Sequence, residues 1–486
     1  MSVKTQKKPL FNNFTVEKVD ELNFFDLTGE NAGTKGTSSK MYTIEVQVEK
    51  NGDRVQIYSS YGPTGRVQKE DWRYPFPSKA AAEKEYNRIV ASKQKKGYKL
   101  IDVAQRAFGS SEAKAKTKPV QFKNAEETPL VKISEKLHPE TSRIVSTLMG
   151  STNTWVIQTL KCPLGQLTNN QIDLGRKCLD EAKELVSNKS NKKRIQELTN
   201  EFYALIPHNL GSGYRGKMTE LLLDSKEKID QKEYDLDTLL DAKAIGATLT
   251  SDSTYDQYKS LNTDFEYIDK SDTLFKWLND LVQKTRASNH RFLGKIVLLN
   301  AWKIARNKER DIFLKRAKEI SKECGKQVIP DQMTDLVKKR SDVYDEDLFK
   351  KANIIPLFHG TRTQNITGIL NKGLLIRPSG VVITGAMYGA SCIYFSSNSS
   401  KSVNYCSVKS SYWANGNDRN AFLFISDCAL GKQIMARGPY QYTNSNIKPN
   451  HSVWAKGGQS GVINDEMMLY GTTQHNLRYF LEFTCE

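Results

Sequence analysis

Apolar and polar residues alternate over Tyr42, Ile44, Val46 and Val48, and Val55, Ile57 and Tyr58 follow beyond Asn51-Gly52. Such period-two spacing around an Asn-Gly pair predicts a β-hairpin with a type I′ turn. A Gly-containing turn, Tyr61-Gly62-Pro63-Thr64-Gly65, comes next. Ser78 then caps an Ala- and Lys-rich helix predicted to end near Lys95. Residues 41–106 therefore read as a small sheet carrying one helix. Residues 1–40 end in Gly33-Thr34-Lys35-Gly36-Thr37-Ser38-Ser39-Lys40, a composition expected of a flexible lead-in. Gly109, Ser110, Ser111 and Pro119, among alternating Ala and Lys, make 107–126 a linker.

Over 127–250 the spacing turns helical: Ile133, Leu137, Ile144, Leu148, Ile157 and Leu160, then Leu174, Cys178, Ala182 and Leu185. An all-α bundle is expected there. From 251 to 486 the signals are mixed and end strand-rich, with short apolar runs at Phe395, 422–425, 467–470 and 479–483. The expected fold class is multidomain α+β: a small sheet-plus-helix module, an all-α bundle, and a mixed α/β domain with antiparallel sheets.

Charge adds a first functional hint. The 486 residues carry a net charge of +17, and Lys79, Lys84, Arg88, Lys93, Lys95, Lys96 and Lys99 crowd the predicted helix, with Arg106, Lys114, Lys116, Lys118 and Lys123 beyond it. That distribution favours a polyanionic partner, nucleic acid above all. The seven cysteines show no CxxC or Cys/His pair at zinc spacing, so reduced thiols and no metal are expected. No run approaches the length of a membrane span, and Met1–Leu10 lacks an apolar signal core. An interior location, cytosolic or nuclear, without membrane attachment is the expectation; the implied function and the basic cluster at Lys93–Lys99 favour the nucleus. Residues 211–217, Gly-Ser-Gly-Tyr-Arg-Gly-Lys, fit a dinucleotide-loop pattern literally. They lie among helical segments rather than after a strand, and Met218 stands where a phosphate loop has Ser or Thr, so an inter-helix loop is expected.

The chemistry gathers towards the C-terminus, in Leu357-Phe358-His359-Gly360-Thr361-Arg362, Ile393-Tyr394-Phe395, Ser400-Lys401-Ser402-Val403-Asn404-Tyr405-Cys406 and Asn464-Asp465-Glu466-Met467-Met468-Leu469-Tyr470. In this order they resemble the catalytic domain of the poly(ADP-ribose) polymerases, with a His-Tyr-Glu triad. Upstream, 163–168 and 202–208 look like the family's helical regulatory domain, and 41–106 looks like its WGR domain. The resemblance implies that 41–106 binds DNA, that 127–250 is a regulatory bundle, and that 251–486 is an ADP-ribosyltransferase domain using NAD⁺ as substrate.

By resemblance, His359, Tyr394 and Glu466 are catalytic, and His359, Gly360, Tyr394, Lys401, Ser402 and Tyr405 hold NAD⁺. Tyr394 and Tyr405 can sandwich an aromatic nicotinamide ring. The backbone of Gly360 can meet its carboxamide, which a side chain would obstruct, and Ser402 can add a hydroxyl. His359 is expected on the adenine-side ribose hydroxyl. A carboxylate at 466 would stabilise the cationic sugar left as the nicotinamide bond breaks. Lys401 can reach the substrate or remain a solvated lysine.

Some features depart from the family pattern. Trp454–Asp465 is a short link where DNA-dependent relatives carry a longer acceptor-side insertion. Ala386 replaces an aromatic, and the Trp-Gly-Arg tripeptide reads Tyr61-Gly62-Pro63. DNA contact is therefore expected from Tyr61, Lys93, Lys95 and Lys96. The implied activity is protein poly-ADP-ribosylation switched on by DNA breaks, with acceptors that include the chain itself; whether an accessory subunit completes the acceptor side stays open. The alternative is a DNA-binding scaffold that is inactive or limited to single transfers.

Overall fold

The computed structural model describes residues 3–30, 33, 36–63, 68–101, 137–160, 167–188, 191–210, 214–251, 253–306, 308–376, 387–389 and 391–486. The expected linker at 107–126, much of the basic run beyond the first helix, Gly211–Gly213 and Thr384–Ala386 lie outside these residues. The fold is mixed α/β with antiparallel sheets, in two compact units: Met1–Pro129 with Trp155–Lys243, and Leu130–Thr154 with Ala244–Glu486.

The first unit contains a six-stranded sheet in the order β1-β5-β4-β3-β2-β6. Its strands are β1 (Lys4–Gln6), β2 (Phe14–Asp26), β3 (Ser38–Glu49), β4 (Val55–Pro63), β5 (Lys69–Tyr74) and β6 (Lys99–Ile101). The predicted hairpin is β3–β4, but its loop spans four residues and is closed by the Glu49 N–H donating to the Arg54 carbonyl at 3.0 Å. Neither Asn51 nor Gly52 adopts a positive φ, so the turn is not type I′. The Arg54 side chain also donates to the Glu49 carboxylate across the strand ends at 2.8 Å.

Residues 1–40 are not the expected lead-in. β2 pairs with β3 over its whole length, interrupted by a bulge between Val16 and Lys18. That bulge breaks the period-two pattern, which is why the strand escaped a reading by alternation. The helix Lys79–Lys95 covers the sheet, with the Ser78 hydroxyl accepting from the Ala81 N–H at 3.2 Å. Ala82, Tyr86 and Ile89 pack on Ile44, Val46 and Ile57.

The helices Asn169–Ser187, Lys192–Leu205 and Lys226–Ile245 complete this unit. Thr168 and Gln171 form a capping box on the first of them, as expected where Thr precedes Gln by three residues. The Asn23 amide donates to the carbonyls of Tyr203 and Ala204, both at 3.1 Å. Residues 214–216 form a short 3-10 turn, the helix before it ends at Leu205, and among the described residues between them no strand leads into the glycine-rich segment.

The second unit is built on a five-stranded antiparallel sheet, β7-β8-β15-β11-β9. The strands are β7 (Thr263–Ile268), β8 (Ile296–Arg306), β9 (Ile354–Gly360), β11 (Asn420–Ala429) and β15 (His475–Cys485). Phe422 and Phe480 stack at 5.3 Å, with Trp302 and Phe265 also against Phe480. Each fully buried aromatic of this kind contributes about 2–3 kcal/mol. A second sheet, β10-β14-β13-β12, comprises β10 (Ile393–Phe395), β12 (Gln433–Met435), β13 (Ser452–Ala455) and β14 (Glu466–Leu469). The sheets meet where Phe358 and Ser396 exchange backbone hydrogen bonds of 2.9 and 3.0 Å. Among the described residues no helix is long and apolar enough to cross a membrane.

Candidate active site

The junction of the two sheets brings the C-terminal motifs together. β9 delivers His359 and Gly360, β10 delivers Tyr394, the helix Ser399–Val403 delivers Lys401 and Ser402, and β14 opens with Glu466. Tyr394 pairs with Met468, two residues along β14 from Glu466. All four residues of β14 are buried. A carboxylate at the head of an apolar strand is therefore held away from bulk water.

Glu466 is 7% exposed. Lys401 Nζ lies 2.8 Å from its Oε1, while Oε2 is buried and meets no hydrogen-bond donor among the described residues. A buried carboxylate oxygen without a donor is costly unless a ligand supplies one. The negative charge of Glu466 reaches its neighbours. Burial first, then that charge, pushes the Tyr388 and Tyr405 phenols up, and the same two influences act on Tyr394.

His359 is held through Nδ1, 3.0 Å from the Tyr394 carbonyl. A carbonyl only accepts, so Nδ1 carries the proton and Nε2 is left as an acceptor suited to a sugar hydroxyl. Burial lowers the His359 pKa, which keeps the ring neutral. Gly360 has no room for a side chain: a Cβ there would lie 1.8 Å from the Ser402 carbonyl oxygen. The Ser402 hydroxyl donates to the Phe358 carbonyl at 3.2 Å. The Tyr394 hydroxyl donates to the Gly389 carbonyl at 2.9 Å and accepts from the Tyr388 N–H at 3.2 Å, which fixes its ring. Tyr405 has Lys401 Nζ 5.9 Å from its ring centroid and stacks on Trp413 at 6.3 Å.

Residues not singled out from the sequence hold this arrangement. His290 is buried, its Nδ1 3.0 Å from the Ser400 hydroxyl and its Nε2 3.2 Å from the Asn464 amide nitrogen. The amide donates, so Nε2 accepts and Nδ1 carries the proton. Burial, then the charge of Lys401, lowers the His290 pKa and favours this neutral form. His290 thus joins the helix bearing Lys401 to the strand bearing Glu466. Asp465 accepts from the Ser397 hydroxyl at 3.0 Å, the Gln332 amide at 3.3 Å and the Gly457 N–H at 2.8 Å. Ser288-Asn289-His290-Arg291 is polar throughout, so no periodicity marked His290.

The residues expected at DNA sit differently from one another. Lys93 Nζ lies 3.9 Å from the Tyr42 ring centroid, 5.3 Å from that of Tyr98 and 5.8 Å from that of Tyr61. Burial, then neighbouring cations, lowers its pKa. The Tyr61 hydroxyl donates to Asp71 at 2.6 Å. Both are committed inside the first unit, whereas Lys95 and Lys96 are exposed at the end of their helix.

Comparison with known proteins matches the sequence to the domains of one family. Residues 273–469 match the poly(ADP-ribose) polymerase catalytic domain, 136–265 the regulatory domain of poly(ADP-ribose) polymerase, and 25–105 the WGR domain. The chain belongs to the poly(ADP-ribose) polymerase family. It is 26% identical to poly [ADP-ribose] polymerase 1 of Gallus gallus, over 92% of this chain and 44% of that protein. Identity to poly [ADP-ribose] polymerase of Sarcophaga peregrina is 27%, over 66% of this chain and 31% of that protein. For poly [ADP-ribose] polymerase 2-A of Oryza sativa subsp. japonica it is 24%, over 85% and 58%. The chain thus spans less than two thirds of the length of each of these relatives. The WGR match begins inside β2, in keeping with a module that starts before the hairpin.

Proposed function

We infer that the chain is an NAD⁺-dependent ADP-ribosyltransferase that is activated by DNA breaks and elongates ADP-ribose on protein acceptors, itself included. The observation that carries this reading is Glu466, whose one oxygen is paired with Lys401 and whose other is buried without a donor. A ribose hydroxyl beside the scissile bond supplies that missing donor. The carboxylate then stabilises the positive charge that grows on the sugar as nicotinamide departs, and it orients the incoming hydroxyl. The Gly360 backbone meets the carboxamide, the absence of a side chain there letting β9 pack on the Ser402 carbonyl, while His359 Nε2 accepts from the adenine-side ribose and Tyr394 and Tyr405 confine the ring. No described group of His, Cys, Asp and Glu side chains could hold a metal ion, and the proposed steps need none.

Lys95 and Lys96 are the proposed DNA contacts of the first module, with Tyr61 and Lys93 holding the surface behind them. A nuclear location follows from the same reading. The test is incubation with labelled NAD⁺, with and without broken DNA. DNA-stimulated nicotinamide release with a ladder of polymer supports the proposal. A single adduct reduces it to mono-transfer, and no release in wild-type protein overturns it.

A further inference from the structure

Tyr412 and Trp413 are 70% and 50% exposed, adjacent in sequence and packed edge to face at 4.9 Å. Large aromatics left in water at a rigid position mark an interaction surface more often than a lone exposed apolar residue does. Their loop is firmly built. The N–H groups of Trp413 and Ala414 both donate to the Asn404 carbonyl, at 3.1 and 3.0 Å. The Tyr412 N–H donates to the Asn404 side chain at 3.1 Å, and the Gly416 N–H to the Ser411 hydroxyl at 2.9 Å. Ser410 and Asn415 flank the pair at φ of 71° and 47°, a conformation that side chains other than glycine adopt at a cost. Asn404 itself is buried and anchored to the Ser400 carbonyl. The fold thus holds two rings outward on a frame shared with the helix that carries Lys401.

Charge and position narrow the occupant. Lys409 and Arg419, both exposed, flank the pair in sequence. The acid between them, Asp418, accepts a hydrogen bond from Thr363 at 3.2 Å. Two exposed rings set at right angles, with two exposed cations within six residues in sequence, suit a ligand that carries both bases and phosphates, as in single-stranded nucleic-acid sites. The platform is also continuous with the candidate active site, because Trp413 stacks on Tyr405 and Tyr405 lies against Lys401.

We propose that Tyr412 and Trp413 form an aromatic binding site for an ADP-ribose unit of the chain attached to an acceptor, its adenine stacked on one ring and held against the other ring's edge, and its pyrophosphate towards Lys409 and Arg419. This rests on the transferase reading above and extends it to a product-binding site. Such a platform holds the modified acceptor near the site between transfers.

The test omits NAD⁺, so its outcome is separate from that of the transfer assay. The full chain is titrated with a fluorescent ADP-ribose oligomer and, in parallel, with single-stranded DNA. Wild type binds the oligomer, and binds the DNA through the first module as well, so the readout is the loss of each affinity on substitution. The Tyr412→Ala/Trp413→Ala variant loses about tenfold or more of oligomer affinity, the effect expected for removing a stacked base. Tyr412→Phe/Trp413→Phe retains binding, which separates stacking from a disturbed loop. Unchanged affinity in the alanine variant overturns the proposal. So does an equal loss for both polymers, or an absence of oligomer binding by wild type.

Discussion

Two lysine–glutamate pairs, Lys183 with Glu233 and Lys401 with Glu466, show how the same chemistry serves different ends. In the helical part of the first unit, Lys183 Nζ lies 3.1 and 2.9 Å from the two Glu233 oxygens and 2.8 Å from Asp230. Glu233 is fully buried, and both of its oxygens are engaged. In the second unit Lys401 touches one oxygen of Glu466, and the other has no donor. A fully satisfied buried pair tightens a bundle. A half-satisfied one, ringed by tyrosines and a neutral histidine, is prepared for a ligand.

The comparison breaks most decisively at the first pair. Lys183→Met leaves a fully buried carboxylate without its counter-charge and should destabilise that unit by about 3–5 kcal/mol. Urea unfolding measures this, and a loss below about 1 kcal/mol would show the pair to be ornamental. Glu466→Gln should leave the unfolding midpoint close to wild type while slowing nicotinamide release about a hundredfold to a thousandfold. Turnover near wild type in that variant removes the proposed chemistry.

His290→Phe sharpens the picture, because it removes the link between the Lys401 helix and the Glu466 strand without touching the proposed substrate atoms. Turnover should fall about tenfold, the order of one or two lost hydrogen bonds, with NAD⁺ binding by calorimetry little changed. The acid side of the pH–rate profile should change shape, since protonating His290 sets an N–H against the Asn464 amide.

The smallest effect is a contrast in pH dependence. Burial raises the Glu233 pKa, with Lys183 opposing and Asp230 adding to the rise. Its folded form therefore holds its proton more firmly than the unfolded one, and its contribution to stability is lost as pH rises above the ordinary carboxylate range. Asp342 is the reverse: burial alone would raise it, but its hydrogen bond and ion pair with Arg340 bring it down to about 2. Its contribution is present above the usual aspartate value and lost as pH falls towards 2. Amide exchange should show the Lys183 helices better protected near pH 4 than at neutral pH, and the Arg340 segment losing protection only as pH falls from about 4 towards 2.

Much of the C-terminal site was legible because its residues lie in short, ordered motifs. Strand positions of Phe395, Phe422–Ile425 and Met467–Leu469 followed from apolar runs between polar breaks. β2 was not legible, since its bulge hides the alternation and a Gly/Ser/Thr-rich segment follows it. Tyr61 and Lys93 carried residue types suited to DNA; only the structure shows that Asp71 and an aromatic cluster also engage these half-buried side chains.

By itself the chain's order of residues determined which side chains were available, which segments would be strand or helix, and that a His-Tyr-Glu set was present. Tertiary structure alone decided that Glu466 would have one oxygen paired and one not, and that His290 would be the link behind it. Periodicity and motif are local properties of a chain, whereas the partners of a buried polar atom come from segments far apart in sequence, so only packing assigns them.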